Sequence, residues 1–284
     1  MNLELNKVHN IDCKLGLEML DDNSVDLIVS SPPYNVSHRP IKSGKILYDY
    51  YDDTKEHYEY IAWLKSIFEV AYRKLKTGGR VCLNVTDTRN GKIQTHSDIT
   101  HFMIHELGYI PYINIIWEKH QVSRRTAWGS YMSPSCPSFP LPYEYILVFA
   151  KGEYKLQDKG VSDITRQEFI DWSLPLWRFP GETRQKKIGV LQAMFSKELP
   201  YRCIKMFSWQ TLLNGEKTLI VDPFAGLATT GKVAKNLGRD FIGFDVSPLY
   251  VELGNKRLEA KTDDLDEWLD LEIIAKHNKV EENV

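Results

Sequence analysis

The 284-residue sequence predicts an α/β fold with a mostly parallel sheet. Three observations predict it: short apolar runs end in turn residues, amphipathic helices follow them, and the alternation occurs twice, up to about residue 151 and again from about residue 191.

In the first half, Val25-Asp26-Leu27-Ile28-Val29 reads as a strand. Residues 59–76 read as a helix, because Tyr60, Leu64, Ile67, Phe68, Ala71 and Leu75 recur on one helical face, and Thr77-Gly78-Gly79 supplies its stop. Arg80-Val81-Cys82-Leu83-Asn84-Val85 is the next strand, with further strands over 112–117 and 143–150. Between those two, residues 121–142 are rich in Ser, Pro and Arg and read as a loop long enough to carry a task. Residues 152–190 mix charges with Trp172, Trp177, Pro175 and Pro180 and hold no sustained period, so they read as a linker or small target-recognition insertion. The second half gives a helix over 199–213, a strand over 218–221, a small-residue turn, a helix to Leu237 and a strand over 241–244. A last helix opens on Ser247 as N-cap and Pro248 as first residue. Residues 1–151 and 191–284 are thus expected as two halves of one domain, with the Glu-rich end frayed.

Composition removes several classes. A formal net charge of −2 gives no uniformly basic surface, so local patches must carry any contact with nucleic acid. No apolar run is long enough to span a bilayer and no signal segment is visible, which makes a cytoplasmic location the default. Cys13, Cys82, Cys136 and Cys203 lie far apart and read as reduced packing residues. His101 and His105 have helical spacing without the H-E-x-x-H form, so no metal site is expected.

The first strand ends in Ser31-Pro32-Pro33-Tyr34, at the sheet edge where α/β folds bind ligands. Two prolines offer preset carbonyl acceptors and no competing N–H. Such a site suits a planar NH2 group, whose lone pair is delocalised and becomes nucleophilic only when acceptors draw the nitrogen toward tetrahedral geometry. Ser31 and the Pro32 carbonyl would accept its two hydrogens, while Tyr34 stacks on the ring for about 1–3 kcal/mol. A stiff turn with a packed tyrosine is the plainer alternative.

The second set is Asp222-Pro223-Phe224-Ala225-Gly226-Leu227-Ala228-Thr229-Thr230, a strand–turn–helix of the nucleotide-binding kind. It lacks the Walker lysine and most of the glycines of a phosphate loop. A cationic methyl donor favours carboxylates, so Asp222 would hold an ammonium and Asp245, ending the next strand, ribose hydroxyls. Ordinary strand-end and cap roles are the alternative for each.

With both sets in place, the sequence resembles the amino DNA methyltransferases that modify cytosine N4 or adenine N6, specifically their beta group, as found in type II restriction-modification systems. There the S/D-P-P-Y/F/W motif precedes D-P-F-x-G-S-G-T-T, as Ser31 to Tyr34 precede Asp222 to Thr230 here. Asp12-Cys13 and Tyr143-Glu144-Tyr145-Ile146-Leu147-Val148-Phe149 match further family positions, and the resemblance spans about residues 10–262. Leu227 and Ala228 replace the usual S-G, and Tyr143 replaces a common histidine.

The resemblance implies a Rossmann-like S-adenosylmethionine-dependent fold with permuted motif order. It implies Ser31, Pro32, Pro33 and Tyr34 as the catalytic set. Asp12 would stand at the cofactor's adenine side beside Cys13, Phe224, Gly226 and Thr229 would line its pocket with Asp222 and Asp245, and Phe195 would lie in a segment closing over it. Double-stranded DNA is the expected substrate, a cognate restriction endonuclease and a homodimer the expected partners. Arg39, Lys119, Arg124, Arg125 and Arg184 are candidate DNA contacts, since phosphates need cations and base edges favour arginine. Serine at position 31 leans toward cytosine N4 by base flipping, because D-P-P-Y is the usual adenine form. Adenine N6 is the second choice; RNA or protein amide methylation, or a non-catalytic DNA-binding subunit, are remoter. A cytosine-C5 enzyme would need a Pro-Cys nucleophile, whereas Cys136 precedes Pro137.

Overall fold

The computed structural model describes residues 3–35, 55–88, 91–119, 129–182, 194–264 and 269. The main sheet is built from β1 (Lys7–Asn10), β2 (Val25–Ser30), β3 (Leu75–Val85), β4 (Tyr109–Glu118), β5 (Tyr143–Lys151), β7 (Leu176–Arg178), β9 (Leu219–Asp222) and β10 (Asp240–Asp245). Its order is β1-β10-β9-β2-β3-β5-β4-β7, while β6 (Gly160–Val161) and β8 (Thr211–Leu212) form a separate ribbon. Every pairing in the main sheet is parallel except the two made by β5. Parallel strands are covered on both faces, which is why all six residues of β2 are buried and the run Leu27-Ile28-Val29 is continuously apolar.

Helices α1 (Cys13–Glu18), α2 (His57–Lys74) and α3 (Thr95–His101), the last continued by a π-helical turn Phe102–Glu106, cover one face. Tyr60, Leu64, Ile67, Phe68 and Ala71 of α2 meet Ile28, Val81, Leu83 and Leu147 there. On the other face Leu27, Val29, Cys82 and Ile146 pack with α5 (Glu198–Phe207) and α6 (Thr229–Asn236), through Leu199, Cys203, Ile204, Val233 and Ala234. Leu27, Ile28 and Val29 alternate between the two cores with the two-residue period of a strand. Helix α7 (Pro248–Glu259) begins as expected, the Ser247 hydroxyl accepting the Tyr250 N–H at 3.4 Å.

Several boundaries differ from the sequence reading. Leu75 is buried but belongs to β3: α2 ends at Lys74, and Leu75 is already extended (φ −63, ψ 142). Gly78 therefore does not stop the helix. It sits inside β3 at φ 78, where a Cβ would stand 2.1 Å from the Lys155 carbonyl oxygen, so the glycine answers a backbone crossing. The helix expected over 199–213 closes at Phe207, because Ser208 turns extended and its hydroxyl donates to the Ile204 carbonyl at 2.7 Å. Residues 152–190, read as a linker or small insertion without a sustained period, carry β6, α4 (Arg166–Trp172) and the edge strand β7. The capping box of Thr165 and Glu168 that opens α4 was a readable signal. Three-residue β7 is too short to show a period; burial of Trp172, Trp177 and Phe179 in the second core holds it. Cys13, Cys82 and Cys203 are buried, whereas Cys136 is exposed in the loop and is not a packing residue. Among the described residues no helix is long and apolar enough to cross a membrane. The Glu-rich end lies outside the described residues.

Candidate active site

Strands β9 and β2 lie side by side, but the chain leaves β9 toward β10 on one side and β2 toward β3 on the other. Divergence of this kind opens a crevice beyond the carboxyl ends of the strands. A cleft of about 1120 Å³, solvent at its mouth included, lies there. Asp12 and Cys13 follow β1, Ser31 to Tyr34 follow β2, Phe224, Gly226 and Thr229 follow β9, and Asp245 ends β10. All of these line the cleft together with Phe195, so the structure unites every described residue expected at the catalytic or cofactor site except Asp222.

Asp222, expected to hold an ammonium, is set apart from that lining. Its side chain is 1% exposed and turned beneath the floor of the cleft, accepting from the Ser30 hydroxyl and from the Phe224 N–H at 3.1 Å. It ties β9 to β2 and shapes the turn. Burial, partly offset by those hydrogen bonds and one from Thr230, pushes its carboxyl up to about 6. Asp245 does face the cleft. Its two oxygens accept the N–H groups of Gly226 at 2.9 Å and Ser247 at 2.8 Å, and burial raises its carboxyl to about 6 against those bonds. Asp12 caps α1, accepting from the N–H groups of Lys14 at 2.9 Å and Leu15 at 3.2 Å. Burial raises the Cys13 thiol well above its ordinary value, which keeps it protonated beside the cleft.

Around these carboxylates the walls are apolar. Trp63 of α2 reaches across to Phe224, ring centroids 5.6 Å apart, and Met194, Leu227 and Tyr250 are among the other lining residues. Ala228, where the family usually has glycine, adopts the left-handed conformation (φ 56, ψ 38) at the cap of α6. Fully buried Arg257 holds the same turn, donating to the Leu227 carbonyl at 3.0 Å and the Thr229 hydroxyl at 2.9 Å.

The other side of the cleft is polar. Ser31 Oγ lies 2.9 Å from the Tyr34 hydroxyl and 3.2 Å from the Asn84 carbonyl, each of which can take its single hydrogen. Tyr34 donates to Glu144 Oε2 at 3.1 Å and accepts from Asn84 Nδ2 at 2.6 Å; Asn84 also donates to Glu144 at 2.8 Å. Lys119 donates to Glu144 Oε1. These partners meet because β3 and β4 finish at this edge while antiparallel β5 begins there. Lys119, expected as a DNA contact, has its ammonium paired with Glu144 and 4.8 Å from the Trp117 ring centroid, with its side chain 32% exposed. Arg39, Arg124, Arg125 and Arg184 lie outside the described residues.

Sequence reading missed Asn84, Glu144, Trp63 and Arg257 as parts of the site. One signal was available for the first two: a polar residue inside an otherwise apolar strand, as in Val81-Cys82-Leu83-Asn84-Val85 and Tyr143-Glu144-Tyr145-Ile146. Trp63 and Arg257 carry no such mark, since each sits among ordinary helix residues.

Carboxylates, aromatic walls and the absence of any lysine or arginine among the described lining residues fit a cationic nucleoside cofactor and disfavour one bearing phosphates. Beside it stands an acceptor set suited to an amino group. Fold and site together define a Rossmann-like methyltransferase of the amino class.

The chain matches the DNA methylase family of N6 and N4 methyltransferases over residues 25–256. It is 43% identical to the type II methyltransferase M.MjaVI of Methanocaldococcus jannaschii over 169 residues, 59% of this chain and 82% of the relative. With M.MjaI of the same organism it shares 30% identity over 81% of this chain and 84% of the relative. A Thermus thermophilus protein, TTHA0409, described as a DNA modification methylase and solved with S-adenosyl-L-methionine, matches with a TM-score of 0.67 and 26% identity, covering 92% of this chain and 94% of that chain. PvuII DNA methyltransferase, described as cytosine-N4-specific, shares the fold with a TM-score of 0.67 at 20% identity, covering 98% of this chain and 96% of that one. The chain belongs to the N6/N4 DNA methylase family: it is a DNA amino-methyltransferase whose cofactor is S-adenosylmethionine.

Proposed function

We propose that this enzyme methylates the exocyclic N4 of cytosine at a specific site in duplex DNA, with the target base swung out of the helix into the cleft. The observation that carries this reading is the Ser31 hydroxyl. It has one hydrogen and two inward acceptors for it, so its oxygen is left to accept a hydrogen from an incoming amino group. The Pro32 carbonyl accepts the second, and the pair draws the nitrogen lone pair out of conjugation and toward the methyl carbon. Tyr34 stacks on the extruded ring. S-adenosylmethionine, when bound, supplies an electrophilic methyl on an already activated sulfonium. Asp245 accepts ribose hydroxyls, Asp12 and Cys13 meet the adenine side, and Trp63, Phe195 and Phe224 exclude water.

Cytosine is favoured over adenine by serine at position 31, since aspartate is usual in the adenine enzymes of the family. The type II designation of the relatives supports action beside a cognate restriction endonuclease, in the cytoplasm with the host DNA. The test is product analysis: duplex DNA treated with enzyme and cofactor, digested to nucleosides and separated by mass, should contain N4-methylcytosine. N6-methyladenine alone would overturn the choice of base.

A further inference from the structure

Methylation of an amino group leaves a proton to be removed. Once the N–C bond forms, the nitrogen carries a positive charge and two hydrogens, and one must leave while the N–H electron pair stays on nitrogen. Aspartate at the first motif position would bring a carboxylate to the amino group. Here that position is Ser31, and an alcohol oxygen cannot retain a proton at neutral pH. The carboxylates lining the cleft are engaged elsewhere: Asp245 holds the Gly226 and Ser247 N–H groups, and Asp12 caps α1.

We infer that Glu144 is the terminal proton acceptor, reached through Ser31 and Tyr34. This rests on the reading that the Ser31 site receives the amino group. The observation is a directed chain: Ser31 Oγ donates to the Tyr34 hydroxyl at 2.9 Å, and Tyr34 donates to Glu144 Oε2 at 3.1 Å. As the methylated nitrogen gives a proton to Ser31 Oγ, Ser31 passes its hydrogen to the Tyr34 oxygen, and Tyr34 passes its own to Glu144. The base ends neutral, Ser31 and Tyr34 are regenerated, and Glu144 ends as the neutral acid. Its side chain keeps 9% exposure, through which the proton returns to water.

The surroundings are arranged for this. Glu144 is 7% exposed, yet its two oxygens are divided: Lys119 pairs with Oε1, and Oε2 faces Tyr34 and Asn84. Asn84 donates to both members of the last step, at 2.6 Å to Tyr34 and 2.8 Å to Glu144, and so holds them in register. Among the described residues near this edge, Arg178 pairs with Glu118 and Asp87 is hydrogen-bonded to His96. The family motif admits phenylalanine or tryptophan where this chain has Tyr34. Stacking alone therefore does not require the hydroxyl that is so fully engaged here.

The experiment uses the full chain, S-adenosylmethionine with a labelled methyl, and duplex DNA carrying the target, read as single-turnover rate beside cofactor Kd. Glu144→Gln, nearly isosteric, should slow transfer about a hundredfold or more with cofactor Kd within about twofold of the parent. Tyr34→Phe, which keeps the ring and breaks the chain, should match that loss, and the double variant should be no slower than either alone. Formate should restore at least about tenfold to Glu144→Ala by supplying a carboxylate, which a purely structural role does not predict. Parent-like rates in either Glu144→Gln or Tyr34→Phe, or additive losses in the double variant, would overturn the relay. Should Ser31→Ala also transfer at the parent rate, the underlying site assignment falls with it; a slow Ser31→Ala beside a fast Glu144→Gln removes the relay alone.

Discussion

The two walls of the cleft are built in opposite ways. The cofactor wall is organised around one continuous turn, Pro223 to Thr229, held through backbone groups: Asp245 takes the Gly226 and Ser247 N–H, and buried Asp222 takes that of Phe224. The base wall is a side-chain network in which Ser31 and Tyr34 from β2's end lean on Asn84 of β3, Glu144 of β5 and Lys119 after β4. A turn packed under its own carboxylates is expected to tolerate sequence change, and it accommodates Leu227 and Ala228 here as buried residues. A network of mutually dependent polar groups does not, because each unpaired member costs more than the bond it made.

The contrast is broken or sharpened by substitutions on the two walls. The largest effect is expected on the base wall: Ser31→Ala should lower the single-turnover rate about a hundredfold or more, the range for losing one hydrogen-bonding group aimed at a reacting centre, with cofactor Kd unchanged by calorimetry. Equal losses in both quantities would mean that Ser31 only supports the fold. On the cofactor wall, Asp245→Asn should behave inversely. Losing one charge-assisted hydrogen bond, about 1.5–3 kcal/mol, raises cofactor Kd about tenfold to a hundredfold, while the rate at saturating cofactor stays within a few-fold.

Smaller, and specific to the cofactor wall, is a pH effect. With the Asp245 carboxyl raised to about 6 by burial, cofactor Kd should rise about tenfold between pH 7.5 and 5, because only the ionised form accepts both partners and ribose hydroxyls. The stability linkage has the opposite sign. A carboxyl near 6 in the folded protein and about 3.9 unfolded contributes stability that is present below about pH 4 and lost as pH rises through 6. Asp222 and Asp245 should therefore favour the cofactor-free fold on acidification from 6 to 4, while the cofactor-induced rise in Tm shrinks over the same window. Glu168 acts below it: burial works upward on its carboxyl, but Lys205, Thr165 and Tyr201 carry it down to about 2, so its contribution fades as pH falls from about 4.5 through 2. A cofactor-induced Tm shift that stays constant from pH 7.5 to 5 would contradict the role given to Asp245.

The smallest effect tests the tolerance of the cofactor turn. Ala228 holds a left-handed conformation that costs an alanine about 1 kcal/mol relative to glycine. Its methyl is fully buried, which returns about 0.8 kcal/mol. The two nearly cancel, so Ala228→Gly should change urea-unfolding stability by less than about 0.5 kcal/mol and leave cofactor Kd within about twofold.

How much was legible follows from where each interaction lies along the chain. Residue patterns were enough for the α/β class, the burial of one face of α2, the Ser247-Pro248 start of α7 and the placing of Ser31 to Tyr34 and of Phe224, Gly226, Thr229 and Asp245 at one edge, because strand, turn and cap preferences act over a few neighbouring residues. Which way Asp222 faces, that Lys119 is neutralised by Glu144, that Gly78 serves a backbone crossing and that Trp177 carries an edge strand were decided only by tertiary contact. A carboxylate at a strand end has the same local signature whether it meets ligand or serine. The choice between them depends on the energy of burying polar groups with partners more than a hundred residues away, and no local pattern holds that information.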